Sequence, residues 1–321
     1  MANPRISVIV PVRDRRDLLG ELLDGLAAQT FRDFEVIVVD DGSTDGSADL
    51  AEAETRMPVI VARQQGQGAV AARQIGVTYA RGDVLAFTDS DCVPVPAWLA
   101  VGVAAIDAGA DVVMGHTRSA RPRRVLERSL TANDNGLYPT CNVFYRRDAF
   151  ERAHGFDVHL GNRLGFRAGD RAKHLGFGED TLLGWRVRRA GHATYAADAV
   201  VDHAVFSLDL KDHFSRTSQV GAFPALIKEV PELRHTLLTR RVFLGVSRLP
   251  LYLAIVALLL GQPLIALAFT VWWAIAHWIA VSEREPSHKR RVLAFPIVLA
   301  TDAFSAVVLI VGSARSFSLV L

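Results

Sequence analysis

Val84-Leu85-Ala86-Phe87-Thr88-Asp89-Ser90-Asp91 runs from four apolar residues straight into two carboxylates one residue apart. An apolar run followed by turn formers reads as a short buried strand and its end. The same figure occurs earlier, where Val36-Ile37-Val38-Val39 stops at Asp40-Asp41-Gly42-Ser43. Working outward, Ile6-Ser7-Val8-Ile9-Val10 is a strand closed by Pro11, and Val59-Ile60-Val61 is another. Helical patterns separate them. Leu18, Leu19, Leu22, Leu23 and Leu26 recur at helical spacing, and a short helix is expected near Ser47 to Glu54. A third helix carries Val70, Ala71, Gln74, Ile75 and Val77 after the Gly66-Gln67-Gly68 turn. This alternation predicts an α/β fold, a mostly parallel sheet flanked by helices. Ligands of such sheets bind beyond the carboxyl ends of the strands, where both acidic turns fall.

The second half is less regular. Cys141 to Tyr145 predicts a strand and Arg147 to Ala153 the start of a helix. Gly178-Glu179-Asp180 precedes a helix from Leu182 to Ala190, closed by Gly191. A strand around Thr194 to Tyr195 leads to Val201-Asp202-His203. The chain has 321 residues and a formal charge of +2. Without a concentrated basic face, nucleic acid is not an expected partner. Two cysteines, Cys92 and Cys141, are too few for a disulfide framework and suit a reduced cytosolic setting. Met1 to Ser7 lacks a basic patch followed by an apolar core, so no secretory signal is expected.

The acidic turns carry the chemistry. Two carboxylates at a strand end can share a divalent cation and a ribose hydroxyl, and Mg²⁺ or Mn²⁺ commonly bridges carboxylates to phosphates. Such an ion neutralises the charge of a departing diphosphate. Asp and Ser are also ordinary turn formers, so either cluster alone says little; two on adjacent strand ends say more.

From Ile6 to Trp98 the chain resembles the nucleotide-binding half of family 2 glycosyltransferases. The matching stretches are Val8-Ile9-Val10-Pro11, Val38-Val39-Asp40-Asp41-Gly42-Ser43-Thr44-Asp45, Ala71-Ala72-Arg73-Gln74-Ile75-Gly76, Ala80-Arg81-Gly82-Asp83 and Phe87-Thr88-Asp89-Ser90-Asp91-Cys92. Further on, Asn142 to Phe150 with His154-Gly155-Phe156-Asp157 is similar to the family's acceptor-side segment, and Gly178-Glu179-Asp180 with Arg186 to its catalytic loop. The resemblance implies the GT-A nucleotide-diphospho-sugar transferase fold. It places Pro11, Arg13, Asp40, Asp41, Arg73, Asp89 and Ser90 at the nucleotide sugar. Asp89, Asp91 and His203 are the implied metal set, with Mn²⁺ or Mg²⁺ as cofactor. Asp180, with Glu179 beside it, is the implied base; an Asp there also suits a helix cap. Asn142, Gly155, Phe156 and Arg186 fall on the acceptor side. Arg13 departs from the small polar residue often found in the family. The implied reaction is inverting transfer of one sugar from a nucleoside diphosphate sugar, a UDP-sugar favoured, to a hydroxyl. Processive members carry Gln-x-x-Arg-Trp; Gln219-Val220-Gly221-Ala222-Phe223 lacks the Arg and Trp, which favours single transfer.

From Val242 onward the chain is largely apolar. Three membrane-spanning helices are expected, at about 244–260, 263–281 and 292–312, since ~20 apolar residues cross a bilayer. Arg240, Arg241 and Arg248 precede the first run and Lys289-Arg290-Arg291 the third, which puts those ends in the cytosol. The expected organisation is a catalytic domain over 1–206, an amphipathic juxtamembrane segment over 207–241 and a membrane region over 242–321. Asp302 within the third run is costly there and calls for a partner, for which Arg248 is available. The expected location is the inner membrane, multi-pass, with the catalytic domain in the cytosol. A lipid-linked or cell-envelope glycan is the expected acceptor. A polyprenyl-phosphate glycosyltransferase and a non-catalytic nucleotide-binding membrane subunit are the alternatives.

Overall fold

A computed structural model describes residues 3–164 and 177–321. The chain forms two compact units, one of residues 1–120 and 129–204, the other of residues 121–128 and 205–321. In chain order the first unit begins β1 (Ile6–Val12), α1 (Arg16–Ala27), β2 (Phe34–Asp40), α2 (Ser47–Glu52), β3 (Val59–Arg63), α3 (Ala69–Tyr79) and β4 (Val84–Phe87). It continues with β5 (Cys92–Pro94), α4 (Trp98–Asp107) and β6 (Val112–Ser119). The chain then passes through β7 (Glu127–Arg128), which belongs to the second unit, before returning. There follow β8 (Val143–Arg146), α5 (Arg147–Arg152), α6 (Leu160–Arg163), α7 (Glu179–Ala190) and β9 (Ala193–His203).

The apolar runs form strands because both their faces are covered. Every residue of β1, β2 and β4 is buried, and Leu19, Leu22, Leu23 and Leu26 of α1 pack into the same core. Burial on both faces is what a sheet between helix layers requires of its strands. The order is β3-β2-β1-β4-β8-β6-β9-β5. β1 to β4 pair in parallel, as the alternation predicts. The sheet becomes mixed beyond them, because β8 runs antiparallel to both β4 and β6. Pro11 lies past the last β1–β4 pair, Ile9–Phe87, where the sheet opens.

In the second unit β7 pairs with β10 (Phe206–Ser207). Then come α8 (Leu210–Ser218), α9 (Phe223–Glu229), α10 (Leu233–Thr236), α11 (Leu249–Leu259), α12 (Pro263–Arg284) and α13 (His288–Ser316). Among the described residues two helices, α12 and α13, are long and apolar enough to cross a membrane. The first expected span, 244–260, yields only a shorter apolar helix over Val246–Leu259. At ~1.5 Å per residue those 14 positions reach about 21 Å, short of a ~30 Å hydrocarbon core. Large apolar side chains point outward from all three helices, Leu259 81% exposed, Leu264 80% and Leu293 62%. Asp302 is met by Arg248, whose Nε lies 3.0 Å from Asp302 Oδ1, while Trp273 Nε1 donates to Oδ2 at 2.9 Å.

Candidate active site

The carboxyl ends of β1, β2 and β4 bring the acidic turns together. Asp40 ends β2, 4% exposed, and accepts from the Ser43 amide at 3.1 Å. Asp41 is buried beside it. Its carboxylate accepts from Gln64 Nε2 (2.7 Å) and from the Gln67 and Gly68 amides (2.7 and 2.9 Å). A carboxylate so engaged has little left for a ligand; Asp41 holds the loop before α3. Arg13 leans on the same carboxylate at 3.7 Å and is half exposed. Ser90 is buried.

Arg73, on α3, reaches Asp89 with Nη2 at 2.5 Å of Oδ1. Burial weakens the Arg73 charge, but Asp89, Glu179 and Asp180 outweigh it and its pKa ends above the ordinary arginine value. Among the described residues Arg73 Nε and Thr88 Oγ1 are buried with no hydrogen-bond partner, two unmet polar atoms near the strand ends.

Asp91 and His203 are joined by strand pairing. β5 runs antiparallel to β9 with Cys92 opposite His203, and the Ala204 amide donates to the Asp91 carbonyl at 2.8 Å. His203 Nε2 then lies 3.7 Å from Asp91 Oδ1. His203 Nδ1 donates to the Ala204 carbonyl at 2.8 Å. A carbonyl only accepts, so Nδ1 carries a proton, and Nε2, turned toward Asp91, is the nitrogen that would meet a cation. Asp91, Cys92 and His203 offer ligand atoms within 4.8 Å of one another. Cys92 is fully buried, and burial pushes its thiol well above its ordinary pKa. A neutral thiol is a poor ligand for a hard cation, so carboxylate and imidazole fit the ion and the cysteine packs. Burial, then the charge of Asp89, raises the Asp91 pKa, as expected of a carboxylate built to meet a cation. Asp89 itself faces Arg73.

Glu179 and Asp180 open α7. The cap is Gly178, so Asp180 stands inside the first turn and the cap reading fails. Its Oδ1 accepts from the Thr181 amide at 2.7 Å, and Thr181 Oγ1 donates to the Leu137 carbonyl at 2.7 Å. Burial raises Asp180 to about 6 against the lowering by Thr181 and Arg73. Burial, then the Asp180 charge, raises Glu179 to about 7. Two adjacent acids, Glu179 buried and Asp180 half-buried, cannot both ionise freely.

The four residues expected on the acceptor side are engaged elsewhere. Asn142 is fully buried; its Oδ1 accepts from Trp98 Nε1 (2.8 Å), and Nδ2 donates to the His116 and Ala199 carbonyls (3.0 and 2.8 Å). A Cβ on Gly115 would fall 2.2 Å from that Oδ1, so Asn142 pins α4 to the sheet. Phe156 is 6% exposed and sits edge-on to Phe87 at 5.1 Å, a core ring. Gly155 turns the chain at φ +62 beside Gln74, where a Cβ would meet Oε1 at 2.9 Å. Arg186 is 36% exposed, 4.0 Å from Asp157, and lines a ≈ 320 Å³ cavity with Asp111, Arg152 and His154. That cavity includes Gly191, at the opposite end of α7 from Asp180.

Sequence reasoning missed the supporting residues. Ser129 donates to the His203 carbonyl at 2.9 Å, Gln64 anchors Asp41 and Thr181 steadies Asp180. Their identities carry no motif; only the contacts reveal them.

The sequence model described as Glycosyl transferase family 2 matches residues 7–171. Glycosyltransferase AglE of Haloferax volcanii is 30% identical over 201 residues, 56% of this chain and 66% of that protein. An undecaprenyl-phosphate 4-deoxy-4-formamido-L-arabinose transferase of Klebsiella pneumoniae is 33% identical over 140 residues, 41% of this chain and 42% of that one. The chain thus spans less than two thirds of either relative. A mannosyltransferase from Pyrobaculum calidifontis, solved with GDP-Man and Mn²⁺, superposes with TM-score 0.58 over 97% of this chain and 88% of its own, at 18% identity. That likeness carries the fold, which is GT-A.

Proposed function

The chain belongs to glycosyl transferase family 2, and from that premise we propose that it moves one sugar from a nucleoside diphosphate sugar to a hydroxyl of a lipid-linked or cell-envelope glycan, with inversion. The observation that carries this reading is the partly buried Asp180 at about 6, electrostatically linked to the Arg73–Asp89 pair at the strand ends.

In this reading Asp40 and Asp89 would hold the ribose and Pro11 and Arg13 would meet the base, with a UDP-sugar as the favoured donor. Asp91 and His203 would hold Mn²⁺ or Mg²⁺, joined by Asp89 once it leaves Arg73. When bound, such an ion supplies charge neutralisation for the departing diphosphate. Asp180, largely ionised above pH 6, takes the proton of the acceptor hydroxyl as its oxygen attacks the anomeric carbon. The bond to the diphosphate breaks on the opposite face, and the leaving group needs no proton. Glu179, near pH 7 still part-protonated, spares the site a second full negative charge. Arg73 offsets the rest.

The second unit is read as the membrane anchor. α12 and α13 keep apolar side chains outward, which water penalises and lipid does not. Arg284, Lys289, Arg290 and Arg291 cluster at the turn between them, putting that turn in the cytosol; the shorter α11, entering the bilayer as a hairpin with α12, keeps the catalytic unit on the same face. The GDP-Man and Mn²⁺ of the Pyrobaculum structure support a nucleoside diphosphate sugar as the donor class and a divalent metal, and the undecaprenyl phosphate of the Klebsiella relative supports a lipid acceptor.

The test is a panel of UDP-, GDP- and dTDP-sugars with detergent-purified full chain. Metal-dependent binding and slow hydrolysis of one donor, lost in Asp91→Ala, is expected. Failure with every donor overturns the reading. The Klebsiella relative favours a second acceptor, a polyprenyl phosphate, which is already an anion and needs no base. Asp180→Asn would then keep most activity.

A further inference from the structure

In the second unit, Arg121, Arg123, Arg124, Glu283 and Arg284 line a cavity of ≈ 480 Å³, within the about 300–1,000 Å³ of small-ligand sites. Three features make this more than a charged surface. The basic strap is fixed: the Val125 amide donates to Glu285 Oε1 at 2.8 Å, with Glu285 only 4% exposed. The Leu208 amide donates to the Leu126 carbonyl at 2.8 Å beside the β7–β10 pairing. The lining is cationic: Arg124 and Arg284 share the cavity wall with Glu283, and Glu127 answers Arg121 at 2.8 Å.

Depth is the third feature. α12 has 22 residues, about 33 Å at ~1.5 Å each, close to a ~30 Å hydrocarbon core. Its Arg284 end therefore falls at the headgroup layer. Trp278, between the rings of Phe295 (5.3 Å) and His288 (6.2 Å), lies near that end as interfacial tryptophans do. Lipid phosphates concentrate at this level, and guanidinium forks fit phosphate oxygens two at a time.

We propose that this cavity binds the phosphate of a membrane lipid and so seats a lipid-carried acceptor; the inference rests on the membrane reading of α12 and α13.

Native mass spectrometry of the full chain, titrated with phosphatidic acid, phosphatidylcholine or inorganic pyrophosphate, tests the site. Phosphatidic acid should bind in preference to phosphatidylcholine, and Arg124→Gln with Arg284→Gln should weaken it at least about tenfold. The double lysine variant should recover part. Metal-dependent nucleotide-sugar hydrolysis without acceptor should be the same in the glutamine variant, which separates a lost lipid site from a lost fold or a wrong catalytic reading. Equal lipid binding by variant and parent overturns the proposal. So does arginine-dependent binding of pyrophosphate without binding of phosphatidic acid, which would mark a site for free phosphate.

Discussion

Arg73 Nη2 lies 2.5 Å from Asp89 Oδ1, with the arginine side chain 8% exposed and the aspartate 29%. The same guanidinium lowers the pKa of Glu179 and Asp180. A cation on α3 thus ties the β4 turn to the start of α7, elements far apart in sequence. Removing it raises both acids, so the base is protonated at higher pH. In Arg73→Met the acid limb of kcat/KM against pH is expected to move up by about one unit or more. Arg73→Lys should restore part of the shift. An unmoved limb would detach Arg73 from the base.

Glu179 gives a stability prediction of unusual sign. Its carboxyl titrates near 4.5 unfolded and about 7 folded, so between those values the folded state binds the extra proton. The contribution is favourable at low pH and is lost as pH rises through 7. At pH 8 the buried charge costs about 3 kcal/mol. Glu179→Gln should therefore raise Tm at pH 8 and change it little at pH 4.5. Equal shifts at both pH values would rule out titration as the cause.

Mn²⁺ binding, followed by electron paramagnetic resonance, separates the residues around Asp91. His203→Ala is expected to weaken it at least about tenfold, and Ser129→Ala to weaken it less, by loosening the strand that carries the ring. Cys92→Ala should leave affinity unchanged. A loss on Cys92→Ala matching that of His203→Ala would sink the assignment of carboxylate and imidazole as the ligands.

Arg248 and Asp302 test the helical unit. Arg248→Leu strands the Asp302 carboxylate, a loss of about 3–5 kcal/mol for a broken buried pair. The yield of monodisperse full chain should fall sharply. Arg248→Leu with Asp302→Leu should recover it, since the apolar pair has nothing to desolvate. If the double variant is as poor as the single one, the cluster has a role beyond mutual neutralisation.

The sequence by itself determined the elements and the chemistry of the turns. Strand runs, leucine spacing and turn formers act over a few residues, so β1 to β4 and the carboxylates Asp40, Asp89, Asp91 and Asp180 were legible in order. The need of Asp302 for a cation was legible too, because an apolar run cannot leave it unmet. What each polar atom faces was not legible. Asp41 and Asp40 are neighbours, yet one closes a loop on Gln64 and the other ends a strand at the opening. Asn142 is consumed by Trp98, 44 residues away, and by Ala199, 57 away. Phe156 became core because Phe87 and Phe150 surround it, and His203 met Asp91 because β5 and β9 pair in that register. A side chain's role follows from which donors and acceptors occupy its lone pairs. Those partners are assembled by long-range packing, which local pattern does not encode.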